Sequence, residues 1–428
     1  VRNPQFRKVS RALTVPYCAA SAGEETFCPR LGQQLPQPSS RLLAVAARRG
    51  DGLMSGFSVD QEALEKVGAS LRRQAEYCHE AVTYLGRHNS YQHSEGIINV
   101  LNKASEDLHY QVEDWLKTAA MYCFEEAANR IDGALRTYRH SDEEAAADMD
   151  AAIELIGSGG ELVLTPATIP SDFRDRYDAT DALRQPRDYR DHPDYAYSPA
   201  KLDHISFASG ARAVVHHGTS IAASLGAMDG PWDIYELFAK PMCGDWAQIK
   251  TNAEVMEHLA GFVRQLAENL QALRVGTAQV WTGNAASLFD EYLYRLETTL
   301  ARSAETFTKA SEVYNLAAEA MANKRQEMTF LFEQIFDLGL SLVFAAKAAA
   351  ATAMTPLVLA TGGALLAIVR RLITTLRNAV TLKNRAELEA IEDAEDLTDL
   401  GLVDTSGNAL PKLPTPDEAG SAMTHLPG

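Results

Sequence analysis

The chain has 428 residues, 46% hydrophobic and 23% charged, with a net charge of −17. This is ordinary composition for a globular protein able to bury a core. The charge excludes a nucleic-acid binder, because nothing would neutralise a phosphate backbone, and it excludes adsorption to anionic lipid by charge alone.

The first 53 residues carry eight Lys/Arg against three Asp/Glu and show no sustained hydrophobic period, so disorder is expected there. Leu42–Ala47 is too short for a signal-peptide core. A Met-Ser-Gly-Phe stands at Met54, directly before the first patterned segment. The expectation is that Met54 initiates the native protein and that 1–53 is translated leader. A native peptide from 1–53, found by mass spectrometry, would overturn it.

From Phe57 onward, Leu64, Val67, Leu71, Ala75, Cys78, Val82 and Leu85 recur at steps of three and four, which is one apolar stripe of a helix. After a polar loop from Gly86 to Gly96, a second stripe runs through Leu108, Val112, Trp115, Ala119, Cys123, Ala127, Ile131, Ala134 and Tyr138. Two helices cover each other's stripe only in part, so this hairpin, assigned to 54–157, calls for a second one. The five cysteines form no Cys-x-x-Cys pair and their count is odd, which argues against a disulfide framework; Cys78 and Cys123 read as small buried thiols. Ser141 to Glu144 has the Ser-x-x-Glu pattern of a capping box. Residues 158–230 read as a linker, rich from 161 in Pro, Asp, Arg, Tyr and Gly and with room for a short strand or helix.

The second hairpin, 231–328, opens at Gly244-Asp245-Trp246. Ile249, Ala253, Met256, Leu259, Val263, Leu266, Leu270 and Leu273 form a seam suited to long antiparallel packing. Trp281-Thr282-Gly283 makes the turn. The partner helix carries Phe289, Leu293, Leu296, Leu300, Phe307, Ala310, Tyr314, Ala317 and Met321. Trp246, Trp115 and Phe289 are expected to pack the hairpins. A hydrophobic helical segment, 329–385, follows. Its 22 residues from Ala348 to Val369 carry no charge, between Lys347 and Arg370-Arg371. That length spans a bilayer, but Pro356 and Gly362-Gly363 interrupt it. A membrane helix and a hairpin bent at Pro356 and buried in the bundle or an oligomer both fit. Residues 386–428 read as an acidic disordered tail, with seven Asp/Glu and no Lys/Arg over 386–400.

The fold class expected is all-α, an elongated bundle of two antiparallel helical hairpins. No Gly-x-x-x-x-Gly-Lys, His-Glu-x-x-His or Gly-x-Ser-x-Gly pattern occurs, and His216-His217 lacks an evident third ligand. No catalytic residue, metal or cofactor is therefore expected, although a bundle can build an enzyme site from distant residues.

The segment from Gly244 to about Met328 resembles the WXG superfamily of type VII secretion substrates. The resemblance rests on Gly244-Asp245-Trp246, Trp281-x-Gly283, Ala285-Ala286 and Phe289. The segment from Phe57 to about Met149 resembles the PE-like and EspC-like export domains of actinobacteria, which end in Tyr-x-x-x-Asp/Glu, here Tyr138 and Asp142. The order of the two is similar to an EspB-like architecture. After Tyr314 the position four residues on is Ala318, so the second hairpin lacks an acid of its own. The resemblance thus implies a split signal, Trp281 and Gly283 on one hairpin and Tyr138 and Asp142 on the other, meeting at one end of the bundle. It implies recognition there by the secretion ATPase and a chaperone, and a place outside the cell or on its surface. Homo-oligomers, a WXG-family partner and membrane contact through 338–371 stay open as further partners. On residue chemistry alone, Tyr138 and Asp142 share one helix face, and Trp281 offers apolar area plus an indole N–H. Plain hairpin packing by Trp281, and a plain stripe end at Tyr138, remain open beside this.

Overall fold

The computed structural model describes residues 57–91, 96–141, 146–148, 173–192, 195, 208–233, 235–351, 358–401 and 410–416. These all belong to the unit Ser55–Gly428. The proposed leader 1–53 and Asp142 lie outside the described residues. Within them the protein is a helical bundle with one two-stranded ladder.

Strand β1 (Ser58–Val59) leads into helix α1 (Gln61–His88), whose N-cap Asp60 accepts a hydrogen bond from the Ala63 N–H at 3.1 Å. That bond satisfies one of the free donors of the first turn. The expected stripe is buried, with Leu64, Val67, Leu71, Cys78 and Leu85 at 0% exposure. The next stripe forms helix α2 (Ile98–Thr118), a wider π-helical stretch (Ala119–Glu125) and helix α3 (Glu126–His140). The π stretch has a trace in the sequence. Trp115, Ala119, Cys123, Ala127 and Ile131 follow one another in steps of four, which would drift around a regular helix of 3.6 residues per turn. Inserting an extra residue into the turn returns all five to the buried side.

Helix α4 (Ala208–Ser224) falls inside the stretch read as a linker, ahead of helix α5 (Trp246–Val280), and packs on helix α6 (Asn284–Ala351). A methyl group at Gly218 would stand 2.9 Å from the Gly339 Cα, so two glycines permit the approach of these backbones. Residues 173–192 are likewise tied to the bundle rather than free of it. Asp175 receives Ser70 Oγ at 2.9 Å and Arg73 Nε at 2.9 Å. Asn269 accepts from the Tyr177 N–H and donates to the Tyr177 carbonyl, both at 2.9 Å. The linker reading is corrected for these pieces: polar groups of α1 and α5 replace the hydrogen-bond ladder that an irregular segment lacks.

Helix α5 (Trp246–Val280), strand β2 (Trp281–Thr282) and helix α6 (Asn284–Ala351) form the second hairpin, and helix α7 (Val358–Gly401) packs on α6 and α2. Gly244 has φ +150°, and a Cβ there would meet Ile98 at 2.4 Å; the residue before the Asp245 cap therefore has to be glycine. Two boundaries need correction. The break at 328/329 is absent, because α6 runs unbroken through it, 68 residues in all, about 100 Å at 1.5 Å per residue. The tail is not disordered from 386: α7 continues to Gly401, its Ala386, Ala390 and Ala394 forming a small buried stripe. The acids occupy its other faces. Beyond it, Leu410 and Leu413 are buried again.

Within the uncharged stretch 348–369, residues 352–357, and with them the expected bend at Pro356, lie outside the described residues. α6 is described to Ala351 and α7 from Val358, and Lys324 of α6 pairs with Glu389 of α7, so the two helices lie side by side. An apolar 18-residue stretch of α6 is nevertheless long enough to cross a membrane, and 22% of it is buried.

Candidate functional site

Four aromatic side chains from three parts of the chain meet where the hairpins end. Tyr138, in the last turn of α3, stands edge-on to Trp281 with ring centroids 6.4 Å apart. Phe57 covers Tyr138 at 5.4 Å, and Phe289 lies 5.8 Å from Trp281. These separations are those at which tilted aromatic pairs attract beyond their area burial. The backbone ties the cluster together: Val59 pairs with Trp281 and Ser58 with Thr282, and the Asp60 N–H donates to the Val280 carbonyl at 2.8 Å. The segment before α1 thus clips the first hairpin onto the turn of the second.

Trp281 and Tyr138 are therefore together, although each is almost wholly buried, at 3% and 6% exposure. The Tyr138 and Trp281 rings are thus closed to direct contact with a receptor in this packed state, and Asp142, expected to share a helix face with Tyr138, lies outside the described residues. The exposed groups around them are Thr282, Ser58, Asp60, Arg139 and His140. The Trp281 indole N–H is buried with no acceptor among the described residues. Gly283 has φ +123°, which a side chain adopts only under strain. Gly283→Ala is expected to cost about 1–3 kcal/mol, read as a lower urea midpoint at an unchanged denaturant slope.

Of the expected packing residues, Phe289, 1% exposed, belongs to this cluster, and the other two lie elsewhere. Trp246 is 1% exposed at the start of α5, and Trp115 at 4% stands edge-on to Phe307 at 5.9 Å. Phe57 escaped the sequence reading because two residues of strand leave no measurable period. Its one signal was a large aromatic placed just ahead of the Asp60 cap.

A second polar cluster joins α1, α5 and the 173–192 segment. Tyr84 Oη lies 2.7 Å from His258 Nδ1. Glu254 accepts the Arg187 N–H at 2.7 Å and the Tyr189 hydroxyl. Burial lowers the pKa of His258 against the opposing pull of Glu254 and Glu257, and burial together with Arg87 and His258 lowers that of His88. Burial likewise lowers that of His109. A histidine that ionises less readily when folded favours the unfolded chain once protons bind. The stability these groups contribute is present above about pH 6.5 and is lost as pH falls toward their folded values. The melting temperature is expected to drop between pH 7 and pH 5, and His258→Gln should flatten part of that drop.

His216 and His217 are neighbours on α4 with ring centroids 6.4 Å apart. Among the described residues, no three His, Cys, Asp or Glu side chains are grouped to hold a metal. A concavity between Val100, Pro241 and Ile391 has Glu236, Lys240 and Glu387 at its edge; Lys240 pairs with Glu236, and the lining holds no nucleophile beside a base. Comparison with known protein families, with curated proteins and with solved structures returns no match.

Proposed function

We propose that this protein is a non-catalytic, exported helical protein of a type VII (ESX-like) secretion pathway. Its signal is divided between Trp281-Thr282-Gly283 on one hairpin and Tyr138 with Asp142 on the other, and the secretion ATPase and a chaperone read it. The observation that carries this reading is the contact of Tyr138 with Trp281. Two residues 143 positions apart, each half of an expected pair, stand edge to face. Asp142 lies outside the described residues, and the reading assigns it the charged part of the signal. The test is export from an actinobacterial host with and without the ATPase. Tyr138→Ala and Asp142→Asn proteins should remain in the cells, and undiminished secretion of both would reject the proposal.

A second reading has its own observation. Phe330, Phe344 and Leu366, on the far parts of α6 and α7, are 60%, 62% and 51% exposed. Apolar surface of this kind suits contact with a membrane, or with further copies of the chain, through 338–371. The same fractionation separates the two: carbonate-resistant recovery in membranes favours contact with lipid, and recovery in the culture fluid favours export.

A further inference from the structure

Residues 410–416, Leu-Pro-Lys-Leu-Pro-Thr-Pro, form neither helix nor strand, yet they are held as firmly as core. Leu410 and Leu413 are 0% and 3% exposed, while Lys412 between them is exposed. The protein reads the segment's backbone with side chains. Trp115 Nε1 donates to the Pro411 carbonyl at 3.0 Å, and Cys123 Sγ donates to the Pro414 carbonyl at 3.4 Å. The groove is fixed from behind: Phe307 of α6 backs Trp115, and the Tyr292 hydroxyl holds the Cys123 carbonyl at 2.9 Å. The π-helical stretch contributes to it directly, since Cys123 offers its carbonyl to α6 and its thiol to the segment.

This is the pattern of a bound peptide rather than of a core element. Prolines at 411, 414 and 416 remove three backbone donors and restrict the backbone, so the segment brings acceptors and the groove supplies donors. Two apolar anchors three residues apart enter, with a charged residue between them left in water. A proline-stiffened ligand loses little freedom on docking, which is how proline-rich segments are recognised in grooves lined by aromatic residues. The segment's root is tied by the Leu410 N–H to the Leu400 carbonyl at 3.1 Å. The helices close their own ladders without it, so local opening need not disturb them.

We propose that the groove of Trp115 and Cys123 is a binding site for an extended Leu-Pro-x-Leu-Pro peptide, with residues 410–416 as its built-in, dissociable ligand. The inference is independent of the export reading. The test uses the full chain and the thiol of Cys123, which is 0% exposed beneath the segment. In the variant Leu410→Ser/Leu413→Ser, maleimide should label Cys123 about tenfold faster than in the native protein, as a thiol freed by local opening would be. Cys78 on α1, also 0% exposed, should stay protected, with helicity unchanged. A synthetic Leu-Pro-Lys-Leu-Pro-Thr-Pro peptide added to this variant should restore the protection of Cys123, and a scrambled peptide should not. Adding Trp115→Phe, which removes the indole donor, should weaken that rescue. Failure of the peptide to protect Cys123, or labelling of Cys78 at the same raised rate, would overturn the proposal; the second result would mean that the segment is an inseparable part of the core.

Discussion

Trp281→Ala is expected to stop export and also to lower folding stability by about 3–5 kcal/mol, the range for truncating a buried Trp or Phe. Both effects follow from one position. The ring is 3% exposed and touches Tyr138 and Phe289, while the backbone of the same residue pairs with Val59. Truncation leaves a cavity where the two hairpins meet, and Phe57 and Tyr138 lose the surface they close against. Far-UV circular dichroism at low temperature should still report the native helix content, because α5 and α6 pack along a long seam below the turn. The melting temperature should fall. Loss of export by this variant alone would therefore not distinguish a damaged signal from a damaged fold. Trp281→Phe makes the distinction. It keeps most of the apolar contact and removes an indole N–H that has no acceptor among the described residues, so little folding energy should go with it. If the secretion machinery recognises the tryptophan, Trp281→Phe melts close to the native protein and still fails to leave the cell. Normal export of Trp281→Phe would reduce the residue to hairpin packing.

The parts of this architecture that the sequence made legible are those governed by local period. The α1 stripe, the α5 seam and the turn at Trp281-Thr-Gly283 follow from spacing and from one glycine; the α5 seam and Trp281 are buried, as is the α1 stripe apart from the partly buried Val82. The meeting of Tyr138 with Trp281 does not follow from period, because nothing in two amphipathic stripes says which ends coincide; only the resemblance to two-hairpin export proteins suggested it. The extent of α6 was obscured by a change near residue 328 from an amphipathic, charge-interleaved stripe to a Phe- and Leu-rich run with few charges, which reads as a new hydrophobic segment although the same helix continues through it. The course of α7 through 386–400 was masked by its acids. A run of negative charge reads as solvated chain, whereas here Ala386, Ala390 and Ala394 are buried at every fourth position, Glu389 pairs with Lys324 of α6, and Glu392, Glu395, Asp396 and Asp399 face water. The 410–416 segment has no period at all. Its order comes from donors on Trp115 and Cys123, nearly 300 residues away in sequence, a kind of interaction that no local pattern announces.

Arg274→Met should rank with Trp281→Ala in its cost to stability without touching the aromatic cluster. Arg274, two turns below Trp281 on α5, donates from Nε to Asp290 at 3.1 Å and from one terminal nitrogen to Glu297 at 2.7 Å, both on α6. All three side chains are largely buried, at 12%, 17% and 17% exposure, and the Tyr294 ring lies 4.7 Å from the guanidinium carbon. The pair of carboxylates is tolerable there only because one planar cation bridges them. Removing the cation leaves two largely buried acids without their shared counter-charge, and the loss expected for breaking such a buried network is roughly 3–5 kcal/mol. The weight of the effect lies in the stranded acids rather than in the lost attraction. Accordingly, the triple variant Arg274→Met/Asp290→Asn/Glu297→Gln should recover most of the lost stability at pH 7. Urea unfolding of the single and triple variants measures this. A triple variant no more stable than Arg274→Met would show that the arginine acts through packing on Tyr294 and not through charge. Because this clamp holds the two legs of the hairpin turn in register, Arg274→Met also provides a control for export. It weakens the fold about as much as Trp281→Ala, yet leaves Trp281, Gly283, Tyr138 and Asp142 in place. On the reading of these four as a secretion signal, it should be exported at the permissive temperature while Trp281→Ala is not.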